Sequence, residues 1–143
     1  MTFKCSRSHW SSHVKAISCG ADLASWLTTR ASLTARLVAA STHFRVSLLH
    51  QNCGLAMLDE MHILGLAGTR KIQEREVILR CDGAPVVYAH TAMPMQASKY
   101  AWPRFAGLGE KSLGSTLFGD PLVERGQLEF AQLSKRHPLF VRA

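Results

Sequence analysis

The sequence predicts an α+β domain, an antiparallel β-sheet with helices packed on it. Three observations carry that expectation. Two β-rich runs flank Asp82-Gly83, a dipeptide that favours a tight hairpin turn. The stretch from Phe44 to Leu49 alternates apolar and polar residues, the period of a half-buried strand. Ala21 to Ala40 carries helical spacing, and Ser112 can cap a short helix opening at Leu113, so the helices stand apart from the hairpin.

Taken in order, residues 1–20 are polar and mixed and are expected to form a loosely held N-terminal arm, with residues 21–143 forming the domain. Asp22 can cap the first helix, whose Leu23, Trp26 and Leu27 share a face, as do Leu33, Leu37 and Val38 further on. A break is expected between Arg30 and Leu37, with Ser32 as the N-cap that restarts the helix at Leu33. In the strand from Phe44 to Leu49, Phe44, Val46 and Leu48 face one way, Arg45 and Ser47 the other. Asn52 to Gly68, with glycines at 54, 65 and 68, reads as a long connection. The hairpin pairs Glu76–Cys81 with Val86–Thr91, and Pro85 opens its second strand. Residues 93–110 hold Pro94, Pro103, Gly107 and Gly109 and read as loop with a short helix. The helix from Leu113 to Phe118 ends at Gly119-Asp120-Pro121. Gln127–Leu133 is a further candidate strand, and the tail ends on the apolar Leu139, Phe140 and Val141.

A length of 143 residues suits one domain, and 47% apolar with 19% charged residues is ordinary for a globular chain. No apolar run is long enough to span a bilayer, and no apolar stretch follows Met1–Arg7 to act as a signal peptide, so a cytoplasmic location is expected. Cys5, Cys19, Cys53 and Cys81 make no C-x-x-C pair and read as free thiols, with Cys81 buried in a strand. The net charge of +7 favours an anionic partner: a carboxylate metabolite, a nucleic acid or a membrane surface. The basic residues are scattered, and Glu74 and Glu76 break the densest patch at Arg70, Lys71 and Arg75, which does not resemble a nucleic-acid stripe.

Arg75 is the most informative side chain. Strand alternation places it with Val77, Leu79 and Cys81 on the core face, opposite Glu76, Ile78 and Arg80. An unpaired buried charge is costly, and a guanidinium fork matches a carboxylate bidentately. Arg75 therefore either clamps a ligand carboxylate, snorkels to water from the strand end, or pairs with an internal acid. The helix starts at Ser32-Leu33 and Ser112-Leu113 each present backbone N–H groups that suit a ligand oxygen or serve only their own serine caps. His9 and His13 have i,i+4 spacing but no acidic third ligand nearby, and read as surface histidines. In Gly107-Leu108-Gly109-Glu110-Lys111-Ser112, Glu110 stands where a phosphate loop needs glycine. The ten acidic residues are dispersed and suggest no catalytic carboxylate pair.

The order and spacing of these segments resemble the chorismate lyase family. The matching runs are Trp26-Leu27, Ser32-Leu33-Thr34 and Arg36-Leu37; Arg75-Glu76-Val77-Ile78-Leu79 with Asp82-Gly83 and Pro85; and Ala89-His90-Thr91 with Pro94. Leu108-Gly109, Leu113-Gly114, Leu117-Phe118 and Arg125-Gly126-Gln127-Leu128-Glu129-Phe130 continue the match, over roughly residues 21 to 135. The resemblance implies an antiparallel sheet with helices enclosing a small ligand cavity. It implies elimination of pyruvate from chorismate to give 4-hydroxybenzoate, the first committed step of ubiquinone biosynthesis, by a monomer needing no metal or redox cofactor. It implies that Arg75 grips the ring carboxylate and that Leu33 and Leu113 meet the ligand through backbone amides. The family's late-strand glutamate, which contacts the hydroxyl end of the product, has no counterpart here; Glu124 and Glu129 do not lie at the matching motif. The expectation is thus a domain lacking the family's last strands, with an unpaired sheet edge. Three other readings stand beside it: a ligand-sensing module of similar fold, a basic nucleic-acid-binding domain, and an inactive remnant.

Overall fold

A computed structural model describes residues 8–68 and 70–143. Their contacts group into two compact units, one formed by the chain up to Arg36 with Gly114–Ala143, the other by Leu37–Leu113.

The Leu37–Leu113 unit holds a three-stranded antiparallel sheet in the order β1-β2-β3, with β1 at Phe44–Leu55, β2 at Lys71–Cys81 and β3 at Ala84–Pro94. The hairpin forms where the sequence predicts it. Asp82 and Gly83 have φ values of 50° and 85°, the pair of left-handed residues that a two-residue turn between twisted strands requires. Asp82 also fixes the start of β1, because its carboxylate accepts from the backbone N–H groups of Thr42 at 3.1 Å and His43 at 2.7 Å.

β1 runs past the expected Leu49 to Leu55, so the long connection predicted over Asn52–Gly68 is corrected: it holds the end of β1 and helix α3 at Leu58–Ile63, and β2 begins just beyond it at Lys71. A β-bulge explains the difference. Leu48 pairs with Val77 but His50 pairs with Glu76, leaving Leu49 as the extra residue. The bulge reverses which β1 side chains face which side, so simple alternation fails beyond Leu48. At Gly54 the Glu74 carboxylate occupies the space a Cβ would take. The α3 start is capped from within, with the Met57 N–H donating to Glu60 Oε2 at 2.8 Å.

Val46, Ala56, Met57, Ile72, Val77, Leu79, Phe105 and Leu108 form the core of this unit. Cys81, expected to be buried, is half-buried. Residues beyond β3 make a π-helical turn at Ala97–Ala101 and a 3-10 turn at Pro103–Phe105, which brings Phe105 into the core and Trp102 against it at 5.8 Å between ring centroids.

The other unit contains helix α1 at Ala21–Leu27 and the first half of α2, which spans Leu33–Ala39. The predicted break is present, and Ser32 Oγ accepts from the Ala35 N–H at 3.2 Å as the cap. Asp22 is not the cap of α1; Gly20 holds that position, and Asp22 sits in the first turn, where its charge favours the helix dipole. Arg36 donates to the Ser25 carbonyl at 2.8 Å and lies over the Trp26 ring at 4.0 Å, joining α2 to α1. Helix α4 at Leu113–Leu117 begins at the expected residue and stops one short of Phe118. The candidate strand Gln127–Leu133 is not one: Phe130 alone pairs, exchanging backbone hydrogen bonds with Ser11 at 2.9 and 2.7 Å. That bridge also ties down the described part of the N-terminal segment. The tail forms α5 at Pro138–Arg142, capped by His137, with Phe140 and Val141 exposed.

Candidate functional site

Arg75 stands in the middle of β2, the central strand, and is 2% exposed. It does not reach water. Its Nη1 donates to Gln51 Oε1 at 2.9 Å and to the Gly109 carbonyl at 2.8 Å, and its Nη2 donates to the Lys111 carbonyl at 2.9 Å. All these partners are neutral, and none of the ion pairs among the described residues includes Arg75. Burial lowers its pKa from the usual value, yet a guanidinium stays protonated in proteins. The result is a buried positive charge held by dipoles alone.

Gln51 is part of this arrangement and is not evident from the sequence. It is brought opposite Arg75 by the bulge on β1. Its Nε2 donates to the Phe105 carbonyl at 2.7 Å, which locks the amide with its oxygen toward Arg75. Gly109, at φ 54°, turns the loop that supplies the carbonyls, a conformation costly for residues with a Cβ. This loop leads directly into Leu113, the first residue of α4, which is half-buried. Leu33 is likewise half-buried and opens α2 in the other unit. In that unit a cavity of about 730 Å³ is lined by Lys15, Arg30 and Arg125 among others; Leu33, Arg75 and Leu113 are not lining residues.

The opposite face of the sheet carries a second polar group that the dispersed acids in the sequence do not suggest. His50, Glu76 and His90 form a row across β1, β2 and β3 at directly paired positions. His50 Nε2 lies 3.2 Å from Glu74 Oε1, and its Nδ1 lies 3.5 Å from Glu76 Oε2. His90 Nδ1 is 3.1 Å from Glu76 Oε1, and its Nε2 is 2.8 Å from Glu60 Oε1. The Glu60 contact is short but poorly aligned for an N–H···O bond, which makes it chiefly electrostatic. Burial opposes charge on His90, but the carboxylates of Glu60 and Glu76 outweigh it and raise its pKa. The signal available in the sequence was the i,i+2 spacing of Glu74 and Glu76 on one strand face, with the Asp-Gly turn setting His90 against Glu76. His9 and His13 are exposed and belong to no such group among the described residues. Cys19, Cys53 and Cys81 are free thiols, while Cys5 lies outside the described residues.

Comparison with known proteins identifies the family. The family model described as chorismate lyase matches residues 5–143. A probable chorismate pyruvate-lyase of Ralstonia nicotianae is 49% identical over 124 residues, covering 87% of this chain and 64% of that protein. One of Cupriavidus pinatubonensis is 47% identical over 118 residues, covering 82% of this chain and 61% of its own length. One of Dechloromonas aromatica is 44% identical over 137 residues, covering 96% of this chain and 77% of its own. The chain belongs to the chorismate lyase family. It spans between 61% and 64% of the length of the first two relatives.

Proposed function

We propose that this chain carries the chorismate-binding sheet of a chorismate pyruvate-lyase and forms 4-hydroxybenzoate and pyruvate from chorismate. The observation that carries the reading is Arg75, a buried guanidinium whose partners are an amide oxygen and two carbonyls rather than an acid. A ligand carboxylate supplies the negative charge that such a site otherwise lacks, through charge-assisted hydrogen bonds. In the proposed complex Arg75 takes the ring carboxylate, and the backbone amide of Leu113, at the end of the loop that holds Arg75, meets another ligand oxygen; ligand contact by the amide of Leu33 is proposed from the family resemblance alone. Gln51 acts as a positioning residue, keeping the guanidinium in register.

The reaction breaks the ether bond between the ring and the enolpyruvyl group. The ring gives up a proton and becomes aromatic, and the departing enol tautomerises to pyruvate. Aromatisation supplies the driving force, so the protein's part is to fix the ring, align the breaking bond and exclude water. The net charge of +7 suits an anionic substrate. The accompanying proposals are a cytoplasmic monomer, a domain over residues 21–143 preceded by an arm at residues 1–20, and a reaction using no metal or redox cofactor. No helix among the described residues is long and apolar enough to cross a membrane.

The test is an absorbance assay of 4-hydroxybenzoate formation from chorismate by the purified 143-residue chain. Formation above the spontaneous rate, falling by at least about 100-fold in Arg75→Ala, is the expected outcome, since removing one partner of a buried charge pair costs about 3–5 kcal/mol. An unchanged rate in the variant contradicts the role of Arg75. A folded chain with no activity contradicts catalysis and leaves a binding module.

A further inference from the structure

In the unit formed by the chain up to Arg36 with Gly114–Ala143, we infer that the cavity lined by Lys15, Arg30 and Arg125 binds a small organic anion of the phosphate-ester class, with an apolar body behind its charged group. The site is independent of the proposed enzymatic reaction and of Arg75, which belongs to the other unit.

Charge favours an anion there. All ten acidic residues of the sequence lie among the described residues, and none of them lines the cavity. None of the ion pairs among the described residues includes Lys15, Arg30 or Arg125. The unit holds nine Lys and Arg against four Asp and Glu, so it carries +5 of the chain's +7. Like charges gathered around one hollow repel one another, and a concave surface focuses their field on whatever enters. Guanidinium groups meet phosphate oxygens through paired hydrogen bonds, and an ammonium adds a point charge. Three cations exceed what a single carboxylate needs and suit the roughly two negative charges of a phosphate ester.

Size and lining add the apolar body. The volume of about 730 Å³ lies within the roughly 300–1,000 Å³ of small-molecule sites, far more than inorganic phosphate fills. Lys15, Arg30 and Arg125 are exposed, whereas Val14, Leu128 and Phe130 are half-buried. These apolar side chains offer contact to a ring or short chain, and Ser12 and Gln127 add neutral donors.

The walls are held together without a ligand. Arg125 Nη1 donates to the Arg30 carbonyl at 2.8 Å, and the guanidinium carbon lies 5.8 Å from the centroid of the Phe118 ring, which joins the two arginine-bearing segments. Ser11 and Phe130 exchange backbone hydrogen bonds at 2.9 and 2.7 Å, which joins the segment leading to Lys15 to the one that follows Arg125. Three stretches distant in sequence thus surround one space, and a site already ordered loses less entropy when a ligand binds.

The experiment titrates the full chain with phenyl phosphate by calorimetry at low ionic strength, where screening is weak, with phenol as the uncharged comparison. Expected are one equivalent of phenyl phosphate bound and phenol bound far more weakly. Lys15→Gln and Arg30→Gln, both at exposed positions that tolerate change, are each expected to weaken phenyl phosphate by about 5-fold, and together by about 20-fold. The double variant of Lys135→Gln and Arg136→Gln removes exposed cations of the same unit that do not line the cavity, and is expected to bind as the parent does. Absence of binding by the folded parent overturns the inference. So does an affinity unchanged in the double variant of Lys15 and Arg30, since the probe then sits elsewhere. An equal loss in the double variant of Lys135 and Arg136 overturns it as well, because a diffuse positive field then accounts for the binding.

Discussion

Arg75 and Glu76 are neighbours in sequence with opposite fates, and the pleat of one strand separates them. Arg75 was legible as a core-face arginine because Val77 and Leu79 follow at the same parity. Its partners were not legible. Gln51 meets it only because Leu49 is bulged out, and the carbonyls of Gly109 and Lys111 come from a loop more than thirty residues downstream. Without the bulge, His50 would share the face of Val46 and Leu48, and the polar row with Glu76 and His90 would not form. Gln51→Leu removes an acceptor from a buried charge and leaves the Phe105 carbonyl without that donor. The expected cost is about 1–3 kcal/mol of stability, read from urea denaturation, together with weaker ligand binding. A change within about 0.5 kcal/mol, the range of ordinary surface substitutions, would contradict the positioning role.

Elements set by local chemistry were readable, and those set by long-range pairing were not. The hairpin follows from Asp82-Gly83 alone, and the restart of the helix at Leu33 follows from Ser32. The end of β1 at Leu55 depends on cross-strand pairing through Leu55 to Lys71, which no short window contains. Gln127–Leu133 has strand-like residues, but only Phe130 finds a partner, at Ser11. Propensity without a neighbouring strand gives no ladder. At Gly83 the backbone has φ 85°, so Gly83→Ala forces a Cβ into the left-handed region. That is expected to cost about 1–2 kcal/mol and to lower the melting temperature without altering which ligands bind. An unchanged thermal transition would mean the turn tolerates another conformation.

For the molecule as a whole, the net charge of +7 favours an anionic partner, and the proposed function makes that partner a chorismate-derived carboxylate. The central claim is that Arg75 recognises that carboxylate. Its most direct test is calorimetric titration of the chain, and of Arg75→Ala, with 4-hydroxybenzoate and with 4-hydroxybenzyl alcohol, which keeps the ring and hydroxyl but lacks the charge. Binding of the acid by the parent alone, with the alcohol weaker by at least about 100-fold, is the expected result, from roughly 3 kcal/mol of charge-assisted contact. Equal affinity for acid and alcohol, or equal affinity of the parent and Arg75→Ala for the acid, would contradict it.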